Sequence, residues 1–287
     1  MALKNKVATC LLTDVGRVRK NNEDSVGEVE ELGLLILADG MGGYNAGEVA
    51  SGIAVSTVQD VVKREWPNLK HGSIDRSTGY SVEALLIKKA IEEAHAAIFN
   101  VSQTQPQCQG MGTTIVVALM HDDLLSIGYV GDSRLYRLRE SQLEQVTRDH
   151  SLLEELIARG HYNREEANQM VRKNIVTRAL GVEEAVKVDL LEDPLEVGDL
   201  LLLCSDGLSD LVEADAISEK LNKFTDNLKK AAKELVDEAN GRGGKDNISV
   251  VLARVDQTLV QGRPWYCLLY TSPSPRDQRG SRMPSSA

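Results

Sequence analysis

Residues 24–39 read DSVGEVEELGLLILAD. Residues 26–29 and 34–38 have the apolar, β-branched content of two strands, and the polar Glu30-Glu31-Leu32-Gly33 between them is of hairpin length. Asp24 therefore opens one strand and Asp39 closes the next. A hairpin makes these two carboxylates neighbours.

The same juxtaposition of apolar run and aspartate recurs along the chain. Residues 124–130 end in Gly131-Asp132-Ser133-Arg134, residues 200–204 end in Ser205-Asp206-Gly207, and Asp246 lies just before the apolar run 248–254. If the strands alternate in direction, one that begins with an aspartate presents it at the edge where its neighbours finish. Asp24, Asp39, Asp132, Asp206 and Asp246 are then expected at one edge.

Such a cluster needs a counter-charge, because like charges a few ångströms apart raise one another's pKa. Divalent cations supply it. Carboxylates, a backbone carbonyl and water suit hard ions such as Mg²⁺ or Mn²⁺, whereas a zinc site read from spacing would need closely placed His or Cys. The histidines at 71, 95, 121, 150 and 161 form no His-x-His or His-Glu-x-x-His pattern.

Further strands are expected at 7–12, 114–120, 135–139, 143–146 and 186–190. Helices are expected at 46–65, 82–103, 151–160, 164–172 and 228–241. In the first helix Val49, Ile53 and Val61 recur at roughly helical spacing, and in the second Leu85, Ile91, Ala94 and Ile98. Hairpins with clustered helices favour an α+β fold of antiparallel sheets over a doubly wound one.

The chain has 287 residues, 42% of them hydrophobic, which is ample for a core. Lys+Arg of 33 against Asp+Glu of 43 gives a net charge of -10, which argues against nucleic acid as a partner. Cys10, Cys108, Cys204 and Cys267 show no paired or metal-ligand spacing and read as reduced thiols. No apolar run approaches the length of a secretory signal or membrane span, so a cytoplasmic protein without a membrane partner is expected. Residues 1–255 read as one domain. Within it, 149–179 interrupts the strands like an inserted flap of two short charged helices, Asn163 to Glu166 having the form of a capping box. Residues 256–287 turn abruptly to Pro, Ser and Arg and are expected to be a disordered tail, foreign to the domain.

Taken singly, Asp-Gly pairs are ordinary turn dipeptides. Their joint occurrence, in order and at strand ends, is specific. With Arg19 five residues before Asp24, Asp39-Gly40-Met41-Gly42-Gly43, Gly110-Met111-Gly112-Thr113-Thr114, Gly131-Asp132-Ser133-Arg134, Asp149-His150-Ser151, Thr177-Arg178-Ala179-Leu180-Gly181 and Asp246-Asn247-Ile248-Ser249, the chain resembles the PPM family of metal-dependent serine/threonine phosphatases. The likeness is to the type 2C enzymes, particularly their compact bacterial members, and covers about residues 7–255.

The resemblance implies a four-layer αββα sandwich, two central antiparallel β-sheets flanked by helices, with a two-metal Mn²⁺ or Mg²⁺ centre at one end. It implies that Asp39 bridges the ions and that the Gly40 carbonyl, Asp206 and Asp246 complete their shells. Asp24 and Glu23 would hold metal waters or supply oxygens. Asp132, with Asp206 and Asp210, would match a third, weaker metal position. Two ions about 3.5–4 Å apart would share a hydroxide aimed at the phosphorus of phosphoserine or phosphothreonine. Arg19 would fork onto two phosphate oxygens, the bland alternative being a salt bridge to Glu23 or Asp24. Some relatives carry histidine where this chain has Met41, so a metal-bound water is the preferred general acid, with His150 and His161 as weaker candidates.

The implied partners are phosphorylated proteins, among them a bacterial Ser/Thr kinase and its substrates, met by a monomer. The competing expectations are a catalytically inactive scaffold of the same fold, a calcium-stabilised domain, and a hydrolase of small phosphate esters. Every acidic position and Arg19 are retained, which disfavours the scaffold.

Overall fold

The computed structural model describes residue 3 and residues 5–43, 46–158 and 175–260. The opening stretch folds as the hairpin its pattern dictates, β2 (Asp24–Val29) against β3 (Leu34–Met41), in a register that pairs Asp24 with Asp39 and Val29 with Leu34. The connection Glu30–Leu32 is one 3₁₀ turn closed by Gly33 in the left-handed conformation.

β3 continues through Asp39 to Met41, three residues past the expected end. Of the added residues Asp39 pairs with Asp24 of β2, and Gly40 and Met41 pair with β4 (Gly112–Thr113). Asp39 is thus held inside a ladder rather than on a free turn.

Two antiparallel sheets form. One has the order β2-β3-β5-β6-β9, with β5 (Ile115–His121), β6 (Leu124–Val130) and β9 (Asp189–Pro194), and β4 beside β3. The other runs β1-β11-β10-β7-β8, with β1 (Val7–Asp14), β7 (Arg134–Arg139), β8 (Gln142–Gln145), β10 (Leu200–Cys204) and β11 (Ile248–Val255).

The central strands β3, β5, β10 and β11 are largely apolar because both of their faces are covered. Leu35, Leu37, Val116, Ala118, Leu201, Leu203, Val251 and Ala253 fill the space between the sheets. The alternate residues of β3 and β5, Leu34, Ile36, Ile115, Val117 and Leu119, face a second cluster beneath α1 (Ala46–Glu65) and α2 (Val82–Thr104). Leu200, Leu202, Val250 and Leu252 face a third, beneath the short α4 (Asp206–Ser209), α5 (Ala214–Lys223) and α6 (Leu228–Gly241). The result is the expected α+β, helix–sheet–sheet–helix sandwich.

Details of the expectation shift. The buried face of α1 is Ala50, Ala54, Val58 and Val61, while Val49 is 40% exposed. Small side chains let that helix lie close to the sheet, so size rather than hydrophobicity chose the face. α2 buries Ile91, Ala94 and Ile98 as expected and is capped by Ser81, whose Oγ accepts from Ala84 N–H at 3.0 Å.

The strand expected at 186–190 lies instead at 189–194, because pairing with β6 from Tyr129↔Asp189 to Leu124↔Pro194 fixes it there. Helix α5 was not anticipated. Its only fully buried apolar pair, Ile217 and Leu221, is set in a charged run. α3 (Leu152–Ala158) matches the expected 151–160, whereas the second flap helix at 164–172 lies outside the described residues.

Packing also continues past 255. Leu259 is 3% exposed in the inter-sheet core, and the Asp123 carboxylate accepts from Leu259 N–H and Thr258 Oγ1. Packing in the described residues thus reaches Leu259, beyond the boundary expected at 255, and residues 261–287 lie outside the described residues. Among the described residues no helix is long and apolar enough to cross a membrane.

Candidate metal centre and active site

Asp39 reaches the end of its sheet with its backbone fully engaged. Its N–H donates to Thr114 Oγ1 at 3.2 Å, and its carbonyl accepts from Thr114 N–H at 2.9 Å and from Thr113 Oγ1 at 2.8 Å. Thr114 Oγ1 lies 2.7 Å from Ser133 Oγ, which ties Asp39 to the turn that carries Asp132. That turn is entered through Gly131 at φ +112°, a conformation that favours glycine.

Next to Asp39, Gly40 N–H donates to the Glu23 carbonyl at 3.1 Å. A Cβ at Gly40 would collide with the carbonyl oxygens of Gly47 and Glu23, so only glycine lets the start of α1 approach here.

The second sheet supplies Asp206 and Asp246. Ser205 joins the sheets: its Oγ donates to Asp24 Oδ2 at 2.9 Å and accepts from Ser249 N–H at 3.0 Å. Asn247 laces the loop of residues 15–23 to β11. Its Nδ2 donates to the carbonyls of Val15 at 3.0 Å and Asn21 at 2.9 Å, and its Oδ1 accepts from Glu23 N–H at 2.8 Å.

One cleft is lined by Asp39, Gly40, Asp132, Asp206, Asp246 and Arg19, together with Glu23, Thr114 and Val176. Asp24 stands behind this surface, 7% exposed, with Oδ1 buried and without a hydrogen-bond partner. Arg19 Nη2 makes a 2.7 Å ion pair with Asp246 Oδ2; the two side chains are 49% and 35% exposed. The sequence reading offered Glu23 or Asp24 as its salt-bridge partner, and the structure names Asp246 instead.

The crowding leaves a clear electrostatic signature. Burial, followed by the neighbouring carboxylates, pushes Asp206 up to about 8 and Asp39 well above the carboxylate range. Burial likewise raises Asp24 to about 6 and Asp132 to about 6. Glu23 is raised by burial too, against the opposing pull of Arg19. An all-oxygen donor set, an orphaned buried Asp24 oxygen and carboxylates that resist ionisation together fit hard divalent cations.

His150 does not reach this cleft. Its Nδ1 accepts from Gly131 N–H at 3.0 Å, so Nε2 carries the proton and donates to Asp189 Oδ2 at 3.1 Å, while the ring stacks on Tyr129. Both nitrogens are engaged outside the lining of the cleft. His161 lies outside the described residues.

Sequence reasoning missed the work of Ser205, Asn247 and Thr114. Ser205 and Asn247 sit beside an aspartate in a quoted motif and Thr114 closes the motif 110–114, but nothing in their local spacing shows the long-range bonds that they make.

An acidic cleft at one end of two stacked antiparallel sheets, with an arginine at its mouth, defines a metal-dependent phosphate-ester hydrolase. Residues 17–239 match the family model described as protein phosphatase 2C, and the chain belongs to that family. It is 41% identical over 249 residues to the serine/threonine phosphatase stp of Listeria monocytogenes serotype 4b, a match covering 86% of this chain and 95% of the relative.

Among solved structures, that of the Mycobacterium tuberculosis serine/threonine phosphatase PstP/Ppp superposes with a TM-score of 0.77 at 33% identity, covering 88% of this chain and 99% of that one. The catalytic domain of PstP in complex with two manganese ions superposes at 0.74, also at 33% identity, over 88% and 99% of the two chains.

Proposed function

We propose that this chain removes phosphate from phosphoserine and phosphothreonine in proteins at the acidic cleft. The observation that carries the reading is the convergence of Asp39, Asp132, Asp206 and Asp246, from strands far apart in sequence, on one cleft with Arg19 at its mouth. Asp39, the Gly40 carbonyl, Asp206 and Asp246 would hold two Mn²⁺ or Mg²⁺ ions. Asp132 would serve a third, weaker position, and Asp24 would support Asp39 from behind. Bound there, such ions supply Lewis acidity and lower the pKa of water.

The chain's own residues then position the ester. The guanidinium of Arg19 presents a planar fork of donors that matches two phosphate oxygens, and the loop carrying it is fixed by Asn247. Water in the cleft is the proposed source of the proton for the leaving alkoxide; among the described residues no histidine lines the cleft.

We infer that the excursion at 149–179, described at 149–158 and 175–179, serves as a flap of a single phosphatase domain. Its base is closed by the bridge between Ser151 and Val176, and Val176 lines the cleft, which supports a part in admitting phosphopeptides. The enzyme acts as a cytoplasmic monomer opposite a Ser/Thr kinase.

Hydrolysis of a phosphothreonine peptide with Mn²⁺ tests the reading. Activity is expected to vanish in EDTA and in Asp39→Ala or Asp206→Ala. Full turnover in either case would refute the mechanism.

A further inference from the structure

At the opposite end of β5 from the acidic cleft, about 20 Å away at the rise of an extended strand, a second group of ligating side chains meets. One donor atom from each of Glu83, His121 and Asp122 lies within 4.8 Å of the others, and among the described residues this is the one such trio of His, Cys, Asp or Glu. Three separate elements bring them together. Glu83 comes from the first turn of α2, His121 from the end of β5, and Asp122 from the turn into β6.

The hydrogen bonds leave donor atoms unused. Ser126 Oγ gives its single proton to Glu192 Oε1 at 3.2 Å, so the 2.8 Å contact between His121 Nε2 and Ser126 Oγ must be donated by the imidazole. The proton is therefore on Nε2, and Nδ1 carries a lone pair. That Nδ1 is buried and without a partner.

Glu83, 1% exposed, accepts from Gly72 N–H at 2.9 Å and meets His71 Nδ1 at 3.2 Å through Oε1 alone. Its Oε2 is likewise buried and without a partner. An anchoring role toward Gly72 and His71 explains Oε1 but leaves two orphaned acceptors, each costly to desolvate, beside one cleft that Glu83, His121, Asp122 and His71 line together.

We propose that Glu83, His121 and Asp122 bind a transition-metal dication of the Zn²⁺ class. One imidazole and two carboxylates suit zinc rather than Mg²⁺, and the chain from His121 through Ser126 to Glu192 orients the ring as outer partners of metal-bound histidines do. The bound ion would join the start of α2 to the β5–β6 turn.

The test is a calorimetric Zn²⁺ titration of the full chain after chelator treatment, in excess Mg²⁺ to occupy the acidic cleft. One equivalent is expected to bind. Affinity should fall at least about tenfold in Glu83→Gln and in Asp122→Asn, and stay unchanged in Asp39→Asn. Asp122→Asn guards against misfolding, because Asp122 is exposed at φ +47° and asparagine tolerates that backbone. Zn²⁺ binding that is lost in Asp39→Asn yet retained in Glu83→Gln would overturn the proposal, as would the absence of saturable binding. Neither result depends on phosphatase activity.

Discussion

Arg19 and Asn247 do different work on the same loop. Arg19 touches the cleft directly, and a charge-assisted hydrogen bond contributes about 1.5–3 kcal/mol. Arg19→Ala should therefore lower kcat/KM on a phosphopeptide by roughly 10- to 100-fold, chiefly through KM. Because Arg19 is also the partner of Asp246, its loss leaves the cleft more negative, and Mn²⁺ affinity should hold or rise. A variant that lost metal and substrate together would contradict the assigned phosphate contact. Asn247 is nearly buried and uses both ends of its amide. Asn247→Ala should cost about 1–3 kcal/mol in denaturant unfolding and also lower kcat/KM, since it frees the loop that carries Arg19 and Glu23.

Among the elements, β3 is the most constrained. Its inward and outward faces belong to different cores, and its last residues are pinned by β4 and Thr114. Gly40→Ala forces a methyl group against two carbonyl oxygens, neither of them the end of a flexible side chain. We expect loss of Mn²⁺ binding measured by calorimetry, with circular dichroism reporting whether the fold survives. Wild-type metal affinity in this variant would disprove the close approach.

The hairpin was legible in the sequence because period and turn length agree, and a strand pairing of period two places Asp24 opposite Asp39 with little freedom. The face of α1 was not, because its alanines pack by closeness, a property of the partner surface that a hydrophobicity count from Val49 and Ile53 cannot register. Nor was the partner of Arg19. Asp246 is 227 residues away, and only the closed sheet brings the two together. The pair of orphaned atoms on Glu83 and His121 escaped for the same reason, since metal-ligand spacing rules read neighbours in sequence.

Across the whole molecule, the aspartates set how stability responds to pH. Asp24, Asp39, Asp132 and Asp206 have folded-state pKa values above their usual range, so the native protein binds more protons than the unfolded chain at intermediate pH. Stability is then fully present near pH 4 and falls as pH rises through about 6 and on to about 8. Thermal unfolding of EDTA-treated protein should show a lower Tm at pH 8 than at pH 5, and Mn²⁺ should remove the difference. Asp206→Asn should raise the metal-free stability at pH 8 by about 0.5–2 kcal/mol while abolishing turnover. A flat pH profile without metal would contradict this account.

The two sheets each contribute part of one acidic site, and Leu35, Leu37, Leu201, Leu203 and their neighbours fill the space that sets the separation of those sheets. Hydrophobic volume between the layers is therefore the gauge that spaces the carboxylates. A methylene trimmed far from any oxygen re-dimensions the metal seat, so chemistry and packing in this enzyme cannot drift independently.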